Sequence, residues 1–275
     1  MSNHRTLKIW ATIRKGHLFS FREFAVVCRI VAPSIIFASV AILIGALLIF
    51  GETNYAPQEP FLELIVSALA LFMAGHVSVG VHRAILLKEN KPKIFRFGRT
   101  ETYYIVILIG LVATFYVPRI FEINSAGIFP LLMMIAFIFN VWIFTFLPAV
   151  AISDAKFLPK SVWRGLAKNR IRFVAIILIN CAIVSVYLGI GAGAAVNLVN
   201  LLTSIVPLFH LPANFEMLFF SVPLLAVVIF GHVFISVIFA GVFSEIYKFI
   251  SESTLSLDDK YSPPEGLRKQ LLQMK

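Results

Sequence analysis

The chain has 275 residues, 59% of them hydrophobic and 14% charged, and a formal net charge of +10. Soluble domains carry about 25% charged residues, so this composition excludes a water-soluble globule and places the chain in lipid. The basic excess does not point to nucleic acid, because Lys and Arg flank long apolar runs, where membrane topology and anionic headgroups account for them.

At the start, Thr6 to Lys15 (TLKIWATIRK) sets Leu7, Trp10 and Ile13 at three-residue spacing among Lys8, Arg14 and Lys15. That pattern predicts a short helix lying on a membrane surface, ended by Gly16. Ser20-Phe-Arg-Glu23 reads as a capping box that starts a new helix near Phe21. Residues 1–29 mix Lys, Arg and aromatics with no apolar core, so no cleavable signal is expected. The first span is predicted at Ile30 to Phe50, with Pro33 near its beginning.

Gly51 to Pro60 holds no Lys or Arg and reads as an external loop. A second span, Phe61 to Leu87, leads into the stretch Gly75 to Glu101, where apolar sequence gives way to Arg83, Lys88, Lys91, Lys93, Arg96 and Arg99 before a third span opens at Thr102. This is a membrane hairpin with a basic turn. The third span closes at Val117 and Pro118, and the fourth runs from Ile128 to Ile152. Basic charge returns in Lys156, Lys160, Arg164, Lys168, Arg170 and Arg172, with Pro159 to Asn169 predicted as a second interfacial helix.

The fifth span, Phe173 to Leu202, carries Cys181, Ser185, Gly189, Gly193 and Asn197 at every fourth position. Such a stripe lets another backbone approach closely, so Ser185, Gly189 and Gly193 are predicted as a helix-packing seam. A loop, Thr203 to Asn214, precedes the sixth span, Phe215 to Phe243, which continues as helix towards Ile250. On this map all Lys and Arg but Arg119 fall on one side of the membrane, and the positive-inside rule makes that side cytoplasmic. Cys28 and Cys181 then lie near a reducing compartment, so no disulfide is expected.

Several polar residues invite chemistry. His76 and His232 each follow a Gly in helices of the same direction, at similar distance from the polar end, and could ligate haem or relay protons. Asn140 and Asn180 extend the set into a polar path. Glu63 and Glu216 open the same two helices, where the macrodipole favours a carboxylate. Arg83 and Glu101 face each other across the basic hairpin and are expected to form an ion pair. No phosphate-binding loop, nucleophile triad or paired intramembrane carboxylates stand out, and no metal-ligand spacing exists.

His82-Arg83, Leu86-Leu87, Glu89, Pro92, Arg96, Arg99 and Glu101, followed by Trp163-Arg164 and Tyr247, together resemble a group of uncharacterised bacterial six-span inner-membrane proteins. That group is similar, more distantly, to the membrane domain attached to some glycerophosphodiester phosphodiesterases. Val81 and Lys88 stand where the group's pattern has Trp and Gly. The resemblance implies a helical membrane domain and no activity, since the attached membrane domain is not the catalytic one.

The expected fold is an all-α polytopic transmembrane bundle of six spans with two cytoplasmic interfacial helices and both termini inside. Residues 1–29 form a cytoplasmic amphipathic segment, 30–250 the membrane domain and 251–275 a cytoplasmic tail. The expected role is that of a non-enzymatic, multi-pass protein of the bacterial inner membrane, without cofactor or metal. It would organise lipid or a membrane complex through Lys88, Lys91, Lys93, Arg96, Arg99, Lys160, Arg164, Lys168, Arg170 and Arg172. Its expected partners are anionic headgroups, with a membrane protein or a second copy of the chain. The alternatives are a small transporter or channel subunit using His76, His232, Asn140 and Asn180, and a haem-binding electron-transfer subunit using His76 and His232.

Overall fold

The computed structural model describes residues 6–51, 59–89, 98–120, 128–154, 166, 169–205 and 213–255. Among the described residues there is no strand. The helices are α1 (Ile9–Arg22), α2 (Phe24–Gly51), α3 (Glu59–Leu87), α4 (Arg99–Ile120), α5 (Ile128–Phe144), α6 (Leu147–Ala151), α7 (Arg170–Ile205) and α8 (Ala213–Leu255). The predicted turn and interfacial residues Lys91, Lys93, Arg96, Lys160, Arg164 and Lys168 lie outside the described residues, as do the side chains of Glu63, Arg119, Glu216 and His232.

Among the described residues five stretches are long and apolar enough to cross a membrane: Phe24–Ala41, Leu69–Leu87, Pro130–Ala151, Arg170–Leu198 and Val233–Ser253. The chain is accordingly a multi-pass, all-helical membrane protein. Of these windows, 56% in α3 and 61% in α8 is buried inside the protein, against 24% in α5–α6 and 28% in α7. Helices α3 and α8 are therefore the centre, and the others pack around them.

Helices α3 and α8 run parallel. Met73, Val77 and Val81 share one cluster with Val233, Val237 and Ala240, and α2 covers it with Ile30, Val31 and Ala38. A second cluster wraps the last turns of α8, where Phe243, Ile246, Tyr247 and Ile250 meet Leu7, Ile13, Leu86, Phe173 and Ile176. The third joins Tyr104, Leu108 and Leu111 of α4 to Leu147 and Ala151 of α6.

The N-terminal segment departs from expectation in three ways. Gly16 does not end the first helix, which continues to Arg22. A glycine inside a helix costs about 1 kcal/mol relative to alanine, and here the missing Cβ has a use: one at Gly16 would lie 2.6 Å from the Val242 amide nitrogen, and one at Gly241 2.6 Å from the Gly16 carbonyl oxygen. α1 and α8 thus cross backbone to backbone. Nor is Ser20 a cap, since it lies within α1 and its buried Oγ has no hydrogen-bond partner. Only Glu23 separates the two helices. Its N–H donates to the Phe19 carbonyl and its own carbonyl accepts from Val27, so α2 starts at Phe24, close to the expected Phe21, with almost no loss of backbone pairing. Finally, Leu7 and Ile13 are buried in the core while Trp10 points outward; α1 is embedded along one face rather than laid on the outside.

The predicted fourth span is split. α5 stops at Phe144, and Thr145 and Phe146 form a turn before the short α6. Pro148 explains the break, because it has no N–H for the preceding turn and its ring clashes with a continuing helix. The freed groups are reused: the Thr145 hydroxyl donates to the Trp142 carbonyl at 2.6 Å, and Phe146 N–H to the Ile143 carbonyl at 2.8 Å. Pro33, by contrast, lies inside α2 without ending it.

Candidate functional site

Several polar side chains inside the apolar bundle find their partners on other helices. On α3, Ser78 and His82 are four residues apart and share a face. His82 is buried. Its Nδ1 lies 2.7 Å from the Ser244 hydroxyl of α8 and its Nε2 3.0 Å from the Tyr104 hydroxyl of α4. A neutral imidazole offers one donor and one acceptor, and each hydroxyl can take either role, so both ring nitrogens are satisfied in either tautomer. One imidazole thereby ties α3, α4 and α8 together.

Three further ties surround it. His17 Nε2 lies 2.8 Å from Asn180 Oδ1, joining α1 to α7. The Leu7 N–H donates to Asn169 Oδ1 at 3.0 Å, so α1 runs alongside about three turns of α7. Tyr247 of α8 donates its hydroxyl hydrogen to the buried Asp154 carboxylate beyond α6.

The basic hairpin is arranged differently from expectation. Arg83 forks onto Glu89, with Nε to Oε2 at 3.1 Å and Nη2 to Oε1 at 2.7 Å, instead of reaching Glu101. The cause is local. Lys88 has φ 53°, the left-handed conformation that reverses the chain after a helix, and this brings Glu89 back over the last turn of α3. Position 88 is thus a place where glycine would be unstrained. Glu101 is engaged elsewhere: its Oε2 accepts the Gly98 N–H at 3.0 Å, which is half of a capping box at the start of α4. Ser153, with φ 58°, repeats the left-handed turn after α6, and its hydroxyl lies 3.2 Å from that of Thr100.

The residues of the expected polar path are bonded in separate helix pairs. His76 Nδ1 lies 3.0 Å from the Ser34 hydroxyl of α2. Asn140 donates at 2.9 Å to the Thr114 hydroxyl of α4 and at 2.8 Å to the Ala136 carbonyl. Asn180 is turned to His17. The register of α3 on α8, set by His82 against Ser244, brings His76 level with the region of Ile238, so the His232 backbone lies about 9 Å further along the axis. The stripe Ser185, Gly189 and Gly193 is exposed, and a Cβ at either glycine would meet nothing within 4 Å; it packs no helix of this chain among the described residues.

The Ser244–His82 pair has the parts of a nucleophile and its base. Both groups, however, are sealed in the contact of α3 with α8, and the backbone N–H groups around them are spent on helix bonds. The arrangement acts as a tie. No group of three or more metal-ligating side chains occurs among the described residues. No family model, curated protein or solved structure gives a significant match to the chain.

Sequence reasoning missed the ties because their members are far apart in the chain: His17 and Asn180 are 163 positions apart, and His82 and Ser244 162. The available signal was Ser78 and His82 at helical spacing within an apolar run.

Proposed function

We propose that the chain is a six-span protein of a bacterial inner membrane, with both termini in the cytoplasm, of the kind its short motifs resemble. On this reading α4 is the sixth span. Its role is to organise anionic lipid, or a membrane complex, through a basic cytoplasmic face, and it carries no catalytic centre. The observation that carries this reading is the distribution of charge. Among the described residues Lys8, Arg14, Lys15, Arg22, Arg29, Lys88, Arg99, Arg170 and Arg172 are all exposed. They stand on α1 and at the helix ends that the His82, Asn169 and Asn180 ties gather at one end of the bundle. A rim of that kind attracts anionic leaflets by about 1 kcal/mol for each basic residue near the surface.

The test is lipid selectivity. Protein equilibrated with equal amounts of phosphatidylglycerol and phosphatidylcholine is examined by native mass spectrometry. Retained lipid is expected to be mostly phosphatidylglycerol, and the combined variant Lys88→Glu, Arg99→Glu, Arg170→Glu, Arg172→Glu is expected to lose that bias. Equal retention of both lipids by the unaltered protein would contradict the proposal.

A further inference from the structure

We infer that one ordered water is built into the contact of α1 with α7, hydrogen-bonded to Ser20 and Asn180 beside His17. The inference does not depend on the lipid reading above, because both residues are buried inside the protein.

Ser20 is 5% exposed and Asn180 0%, yet the Ser20 Oγ and the Asn180 Nδ2 each lack a hydrogen-bond partner. Left so, each would cost about 1–3 kcal/mol. The Asn180 amide is anchored at its other end, where Oδ1 lies 2.8 Å from His17 Nε2. Turning the amide over would exchange its two ends and still leave one of them free. His17 and Ser20 are three residues apart on the buried face of α1, so their Cβ atoms are about 5–6 Å apart. A water about 2.9 Å from each of two groups bridges about 5 Å between them. Ser20 and the amide that holds His17 are not bonded to each other, and they are spaced for one small molecule to join them.

Chemistry and space both select water as that molecule. The two open groups are neutral, the hydroxyl can donate or accept, and water does both, so every proton has a place whichever way the amide stands. Buried waters make two to four such bonds to groups that would otherwise be unsatisfied. The space is small: one turn before Ser20, a Cβ on Gly16 would lie 2.6 Å from the Val242 amide nitrogen of α8. A helix pressed that closely onto its neighbour leaves no room for a headgroup or a metabolite at the next turn. The water thus completes the tie of α1 to α7 that His17 begins.

Two measurements on the full chain test this. In a cryo-EM map of the protein in nanodiscs with a bound antibody fragment, at a resolution that shows other buried waters, a peak is expected about 2.9 Å from both the Ser20 Oγ and the free end of the Asn180 amide. The second is a double-mutant cycle in melting. Ser20→Ala also raises helix propensity, and comparing its effect in two backgrounds cancels that gain. In the unaltered protein the substitution should lower the melting temperature by about 2–4 °C more than it does in Asn180→Leu, the size of one hydrogen bond. If Asn180→Leu does not fold, Asn180→Ala takes its place in the cycle, and the map decides without either. Equal shifts in the two backgrounds would overturn the inference, as would a map that keeps the His17–Asn180 contact and has no peak beside Ser20.

Discussion

The two halves of α7 differ in what they touch. From Arg170 to Val184 the helix buries Phe173, Ile176, Ile177, Asn180 and Val184 against α1 and α8. From Ser185 onward its described residues are exposed almost throughout, and those of α5 before Asn140 behave alike. Polar groups follow the same division: near the basic end His17, His82, Asn169, Asn180 and Tyr247 bond across helices, whereas Ser204 at the far end returns its hydroxyl to the Leu201 carbonyl of its own turn at 2.6 Å. Among the described residues tertiary specificity is concentrated at the basic end, and the far parts of α5 and α7 leave their apolar faces exposed.

The glycines break or sharpen this contrast most strongly. At Gly16 or Gly241 a side chain meets backbone that cannot give way, so Gly16→Leu or Gly241→Leu should destabilise by about 3 kcal/mol. Gly189→Leu and Gly193→Leu should change stability by less than about 0.5 kcal/mol, all read as melting in the same detergent. A large loss at Gly189 would mean that its face packs a second copy or another protein. The next effect belongs to the central tie. His82→Leu leaves the Ser244 and Tyr104 hydroxyls short of a partner in a buried site, and a loss of about 2–4 kcal/mol is expected in reversible unfolding. His76→Leu, which releases Ser34 in a half-buried site, should cost about 1 kcal/mol.

These pairs show why only part of the molecule was legible beforehand. The apolar runs marked the helices, and the ends at Leu87 and Ile128 agree, because a span is a property of local composition. Close approach is not local. Gly189 and Gly193 form the recognisable motif yet touch nothing among the described residues, while Gly16 and Gly241 have no motif and cross backbone to backbone. Gly16 looked like a helix stop for the same reason: its propensity is visible in the sequence, but the packing that outweighs it lies over two hundred positions away. The break at Thr145 could have been read from Pro148. The lost Arg83–Glu101 pair turns on one left-handed residue, Lys88, whose conformation nothing in its side chain announces.

Charge reversal separates those two pairings with a smaller effect. Arg83→Glu should lower stability by about 1 kcal/mol, since the site is partly exposed. Adding Glu89→Arg should restore part of the loss, and adding Glu101→Arg should not. Smaller again are the turns: Lys88→Gly and Ser153→Gly each relieve a left-handed non-glycine residue, and each should raise stability by about 1 kcal/mol or less.

The central claim, that the tied and basic end of the bundle faces the cytoplasm, is tested most directly by thiol labelling in intact cells. With Cys28→Ser and Cys181→Ala as background, single cysteines replace Asn54, Asn124, Lys91 and Ser262 in turn. A membrane-impermeant maleimide should label the Asn54→Cys and Asn124→Cys variants from outside, and the Lys91→Cys and Ser262→Cys variants only after permeabilisation. Labelling of Lys91→Cys in intact cells would contradict the account.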